Sequence, residues 1–143
     1  MILPDINLLL YAYNPDSPHH IRAMEWWETS LSGRTMVGLP WVVLLGFLRL
    51  VSNHSLFDEP LSPREALEEM RAWLDRPTVQ VLQPGSRHLD LLDELMVGTA
   101  ASSKLSTDCH LAALAIEYQA ELHSNDSDFS RFPGLRWKNP LKD

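Results

Sequence analysis

Short apolar runs alternate along this chain with stretches of helical spacing, and no two runs are joined by an Asn-Gly or Asp-Gly hairpin signal. That alternation constrains the fold more than any other feature. Strands that are not hairpin neighbours pair in parallel through crossovers, which are usually helical, so the pattern predicts an α/β domain with a mostly parallel sheet.

Met1–Asp5 reads as a short buried strand and Ile6–Tyr13 as one or two helical turns, closed by the loop NPDSPHH with Pro15 and Pro18. His20–Leu31 has apolar residues at helical spacing and stops at Gly33. Thr35–Leu39 is a second strand, and Pro40 suits the first turn of a mostly buried helix through WVVLLGFLRLVSN. HSLFDEPLSP is a loop, and Ser62, Pro63 and Glu65 form a helix start leading into Ala66–Leu74. Thr78–Leu82 alternates as a strand, Ser86–Val97 is an amphipathic helix, TDCHLAALAIEYQA is another, ELHSND ends a strand in a polar loop, and LRWKNPL is a short edge segment. No repeat or interior linker interrupts the pattern. Residues 1–143 are therefore expected to form one domain, long enough to bury a core, with only KNPLKD frayed.

In open parallel sheets, ligands bind outside the carboxyl ends of the strands. Asp5 follows the first strand, and Asp126 and Asp128 follow the ELHS strand, so the three are expected on one rim. Asp5 lies in an apolar surround, MILPDINLLLYAY, where an ionised carboxylate needs a partner; an N-cap role at the strand-to-helix junction would supply one. Asp108 stands at a helix start beside Ser106 and Thr107, either of which could cap, so a capping role for the aspartate is redundant. Asp126 and Asp128 could each serve an Asx turn, but together they concentrate negative charge that a cation would offset. Phe129 and Phe132 should anchor their loop. Three acidic elements from distant parts of the chain suit Mg²⁺ or Mn²⁺ held by a few carboxylates.

Twelve Lys and Arg against nineteen Asp and Glu leave a net charge of −7, which argues against nucleic-acid binding by bulk electrostatics. A site that gathers acids around divalent cations would still attract a phosphodiester through the metal. No Gly-rich phosphate loop, G-x-S-x-G elbow or H-E-x-x-H motif is present, and the histidines are scattered. The lone Cys109 excludes an internal disulfide and reads as packing rather than nucleophile. With no basic leader and no apolar run near the ~18 residues of a membrane span, a cytoplasmic protein without membrane contact is expected.

These residues resemble the PIN-domain ribonucleases, most closely the VapC-type toxins of bacterial toxin–antitoxin pairs. The resemblance spans essentially the whole chain. It rests on LPDINLLLYAYN, WVVLLGFLRLVSN, TDCHLAALAIEYQAEL, SNDSDFSRFPGL and RWKNPL. It implies a three-layer α/β/α fold, metal-dependent cleavage of RNA, a homodimer, and silencing by a small antitoxin. It matches Asp5, Asp108 and Asp126, with Asp128 as companion, to the family's metal-binding and catalytic acids. Asn7 corresponds to a polar residue that orders the site, and Arg49 in GFLRL to a recurrent basic position that could position substrate.

One departure stands out. Relatives carry a glutamate in the middle helix where this chain has Leu44 and Gly46, neither of which binds metal. A substitute acid such as Glu59 or Glu94, weaker metal affinity, or an RNA-binding module that cuts poorly are the consequences to weigh. In MEWWETSL, Trp26 and Trp27 point about 100° apart on a helix, so one is expected in the core and the other at a margin that suits a partner. A basic antitoxin tail would also suit the −7 charge.

Overall fold

Each apolar run becomes a strand of one sheet. In the computed structural model, which describes residues 1–142, the strands are β1 (Ile2–Pro4), β2 (Val37–Pro40), β3 (Val79–Leu82), β4 (Glu121–His123) and β5 (Arg136–Lys138). They stand in the order β3-β2-β1-β4-β5, and all four pairings are parallel. Six helices connect or flank them: α1 (Ile6–Ala12), α2 (His20–Ser32), α3 (Trp41–Val51), α4 (Pro63–Leu74), α5 (His88–Gly98) and α6 (Ser106–Glu117). Short 3₁₀ turns at Ser103–Leu105 and Ser127–Arg131 complete the described chain.

The strand order explains the layers. From β1 the chain adds β2 and β3 to one side, then crosses back and adds β4 and β5 to the other. Right-handed crossovers place α1 to α4 on one face and α5 and α6 on the opposite face. Packing agrees: α1 meets α2 and α3, α3 meets α4, and α5 meets α6. Adding strands in both directions makes the β1–β4 boundary the topological switch point, where ligands of such sheets bind.

Local signals set most element starts. Ser62 and Glu65 form a reciprocal capping box with Pro63 at the first helical position of α4. Pro40 is extended and leads into α3, whose Val43, Leu44, Phe47 and Val51 have no exposed surface. Trp27 meets Trp73 edge-on at 5.3 Å, and Trp73 lies 4.7 Å from Phe47, so aromatic packing joins α2, α4 and α3. Helix α6 is buried over five consecutive residues, Leu111 to Ala115, and alanines allow close approach to the sheet.

A few boundaries move. The helix expected from Ser86 begins at His88, after a turn in which His88 N–H donates to Gly85 O. The helix expected to run through Ala120 ends at Glu117, because Gln119 takes a left-handed φ of 53°. Strand β2 begins at Val37 rather than Thr35. Among the described residues, no helix is long and apolar enough to cross a membrane.

Candidate active site at the switch between β1 and β4

Asp5 follows β1 directly, and its amide donates to the carbonyl of His123 at the end of β4 (2.9 Å), so the two strand ends are tied together. It is also the N-cap of α1: its Oδ1 accepts from Ile6 N–H at 2.8 Å. The capping role expected from the sequence is therefore real, and it uses one oxygen. The other oxygen, Oδ2, accepts from the hydroxyl of Ser124 at 2.7 Å. Burial pushes the Asp5 carboxyl above its ordinary pKa, the two hydrogen bonds pull against that shift, and the negative charge of Asp126 adds to it.

Ser124 is the hub that sequence reasoning missed. It is fully buried, and besides holding Asp5 its oxygen accepts from Asp126 N–H at 3.0 Å and from the Asn7 side-chain amide at 3.4 Å. Asn7 thus reaches the site through Ser124, while its own Oδ1 is buried with no hydrogen-bond partner. Asp126 accepts from Asp128 N–H at 2.9 Å, the expected Asx turn, and so caps the following 3₁₀ turn. Phe129 and Phe132 are buried beneath this turn.

Asp108 enters from the opposite face of the sheet, in the first turn of α6. Leu105 is the N-cap, with no side-chain capping bond, so neither Asp108 nor its neighbours Ser106 and Thr107 cap this helix. Burial raises the Asp108 carboxyl to about 6, and the charges of Asp5, Asp126 and Asp128 push in the same direction while Arg131 opposes them. Four carboxylates from three distant segments therefore act on one another here. Arg131 also pairs with Asp128 at 3.5 Å on the exposed rim. As placed, no three or more His, Cys, Asp or Glu side chains among the described residues form a group that could hold a metal ion. The donors nevertheless suit a hard cation: all are oxygens, Arg131 is among the described residues the one cation acting on Asp108 against three like charges, and the Asn7 carbonyl oxygen is orphaned beside them.

Other candidates fall elsewhere. Leu44 is fully buried in the core. Gly46 lies against Ile6, where a Cβ would come within 2.4 Å of Ile6 Cδ1, so the side chain after Asp5 fills the space of the absent glutamate. Neither proposed substitute reaches the site: Glu59 acts on Asp16 in a separate exposed loop, Glu94 is exposed on α5, and neither is among the charges that act on Asp108. Arg49 is exposed along a groove of about 560 Å³ that it shares with Ile6, Leu45, Gly46 and Thr107, next to Asp108 in sequence. Cys109 is buried and burial raises its thiol, which suits packing. His88 and His110 bond to each other at 2.8 Å, and His88 also meets Glu117, linking α5 to α6 away from the carboxylates. Trp27 is in the core and Trp26 half-buried, the division expected from their spacing.

The PIN-domain family model matches residues 2–135. This chain is a PIN domain. Its relatives place it among the VapC proteins: it is 45% identical to Ribonuclease VapC33 of Mycobacterium tuberculosis over the full length of both chains. It is 41% identical to Ribonuclease VapC37 of the same species, over 98% of this chain and 97% of that one. Among solved structures, VapBC-1 from nontypeable Haemophilus influenzae superposes with a TM-score of 0.70 at 14% identity, covering 99% of this chain and 100% of that one. VapC20 of Mycobacterium tuberculosis, described as a sarcin-ricin loop cleaving toxin, does so with a TM-score of 0.64 at 18% identity, over 95% and 99% of the two chains. At these identities the structures speak for the fold, and they share the parallel α/β architecture described above.

Proposed function

We propose that this VapC-family PIN domain is a divalent-metal-dependent endoribonuclease, acting in the cytoplasm as the toxin of a toxin–antitoxin pair. One observation carries the reading: Asp5, Asp126 and Asp128, from two segments distant from α6, lie near enough to Asp108 that their charges add to burial in raising its carboxyl to about 6. Like charges gathered in this way are unfavourable unless a cation or a proton offsets them. Relatives named as ribonucleases, matched over the full chain, support the activity.

Asp5, Asp108 and Asp126, with Asp128 at the rim, would hold Mg²⁺ or Mn²⁺. Such an ion, when bound, supplies an acidic water for attack and positive charge against the scissile phosphate. The chain's own groups do the rest. Ser124 keeps one Asp5 oxygen bonded and aims the other side of the carboxylate. Asn7 braces Ser124. Arg131, and Arg49 from the neighbouring groove, would meet the RNA backbone.

A second reading, an RNA-binding module that cuts poorly, is favoured by Gly46 in place of an acid and by the absence, among the described residues, of a preset three-ligand group. Cleavage assays on structured RNA with Mn²⁺, with Mg²⁺ and with chelator separate the two: metal-dependent cutting supports the nuclease, and RNA binding without cutting supports the module.

The toxin–antitoxin assignment implies two protein partners. An antitoxin with a basic segment suits the −7 charge. A second copy of the chain would cover Trp41 and Leu45, exposed by 47% and 56% on α3. Light scattering of the purified chain, alone and with Leu45→Asp, tests the homodimer: the variant should be monomeric.

A further inference from the structure

The carboxylate site is acidic, so the backbone of a bound RNA must find most of its cations elsewhere. Three are gathered in one place. Between α2 and the β1–β4–β5 side of the sheet lies a cavity of about 550 Å³ whose walls include Arg22, Glu25, Trp26, His123, Lys138 and Lys142. Three of the twelve Lys and Arg in a chain of net charge −7 line this one concavity, which makes it a local exception to the acidic surface.

The walls are fixed by bonding. Trp26 Nε1–H donates to His123 Nδ1 at 3.0 Å, which requires the His123 proton on Nε2, and that nitrogen meets Glu121 at 2.7 Å. Trp26 also stacks on Trp27 at 5.5 Å, so its indole is held from both ends. Ser30 spends its hydroxyl on the Trp26 carbonyl at 2.8 Å. The aromatic wall is therefore set before any ligand arrives.

The cavity also adjoins the carboxylate site through the backbone. His123 forms its wall, and the next residue, Ser124, holds Asp5. Ser124 N–H donates to the carbonyl of Lys138 at 3.1 Å, and Trp137 Nε1–H donates to the carbonyl of Ser124 at 3.1 Å. The ends of β4 and β5 thus link Asp5 to Lys138 through Ser124.

We infer that this cavity binds a phosphate and its adjoining nucleoside in the RNA strand whose scissile bond lies among Asp5, Asp108 and Asp126. The inference rests on the nuclease reading. Its volume falls within the roughly 300–1,000 Å³ of ordinary ligand sites. Lysine ammonium groups serve as point charges for a phosphate. An RNA strand is favoured over a protein partner because the cations flank a concavity whose His123 wall directly precedes Ser124, the residue that holds Asp5.

The test is binding of a short labelled single-stranded RNA by the full chain in chelator, followed by fluorescence anisotropy across a salt series. Wild type is compared with Lys138→Ala, Lys142→Ala and the double variant, all at exposed positions whose melting temperatures should not move. Each single variant should weaken binding several-fold and flatten the slope of log affinity against log salt by about 0.7. The Trp26 indole N–H resonance should shift on adding RNA to wild type and not to the double variant. Unchanged affinity and slope in the double variant, no RNA binding by wild type, or displacement of the effect onto an acidic peptide instead of RNA would each overturn the subsite. Metal-dependent cleavage measured in parallel keeps the two readings apart. Cutting that persists while the lysines prove irrelevant sinks the subsite alone, and lysine-dependent binding without cutting sinks the nuclease alone.

Discussion

The hydroxyl of Ser124 donates to Asp5 Oδ2 at 2.7 Å across 119 positions of sequence, joining the end of β4 to the end of β1 at the point where the sheet changes direction. This bond makes the two loops one site. Removing it leaves an almost buried carboxylate short of a donor and orphans the Asp126 amide and the Asn7 side chain. Ser124→Ala should therefore destabilise the fold by about 1–3 kcal/mol in chemical denaturation. It should also weaken Mn²⁺ binding by about 10–100-fold in titration calorimetry, the usual effect of losing a group that orients a ligand. Unchanged metal affinity would reduce Ser124 to a packing residue.

Asp108 makes stability depend on pH in an unusual direction. Its folded pKa of about 6 lies above the ordinary value of 3.8. Between those values the folded state holds more protons than the unfolded state, so stability falls as pH rises through that window. The group is half exposed, and screening reduces the effect. In chelator, Asp108→Asn should melt about 2 °C above wild type at neutral pH, and the difference should vanish near pH 4. Scanning calorimetry across that range checks it; a variant that melts lower at neutral pH would show that Asp108 is a favourable first-turn charge instead.

Gly46 and Ile6 define how the site does without the family's glutamate. A Cβ at position 46 would lie 2.4 Å from Ile6 Cδ1. Gly46→Ala should cost about 1–3 kcal/mol by overpacking, despite the better helix propensity of alanine. Adding Ile6→Ala should recover part of that loss, a non-additive cycle expected of residues in contact. Additive costs would show that the two do not compete for space.

Glu117 accepts from the amide of Gly85 at 2.7 Å and from the buried His88, which in turn meets His110. Glu117→Ala should cost about 1–3 kcal/mol, because it leaves His88 and the Gly85 amide without their partner. RNA cleavage by the folded protein should stay within a few-fold of wild type. Loss of cleavage at full folding would mean that this chain reaches the carboxylates through α6.

The parallel sheet was legible because each strand is a short apolar run and each connection carries helical periodicity. Asp5 and Asp126 were legible for a related reason: strand ends in such a sheet face the ligand, whatever the strand order. Asp108 could be flagged by redundancy alone, since two other competent capping residues precede it, though in the event none of the three caps α6. Ser124 was hidden because its role depends on β4 lying beside β1, a pairing between strands remote in sequence. A serine in a polar loop carries no local mark of that. The fit of Gly46 against Ile6 was hidden likewise, because it arises from α1 meeting α3. Glu59 and Glu94 were plausible by residue type, and tertiary placement removed them from the site.

The central claim is that Asp5 serves chemistry as well as capping, and Asp5→Asn separates the two roles. Asparagine keeps an Oδ1 that can accept from Ile6 N–H, so α1 remains capped. Its amide nitrogen takes the place of the oxygen that accepts from Ser124, relief of a buried charge among like charges offsets that loss, and the variant should stay folded. RNA cleavage by the purified, antitoxin-free variant should fall at least about 100-fold relative to wild type with Mn²⁺ or Mg²⁺, with both proteins silent in chelator. Full metal-dependent cleavage by the folded Asp5→Asn protein would contradict the account and leave Asp5 as a helix cap.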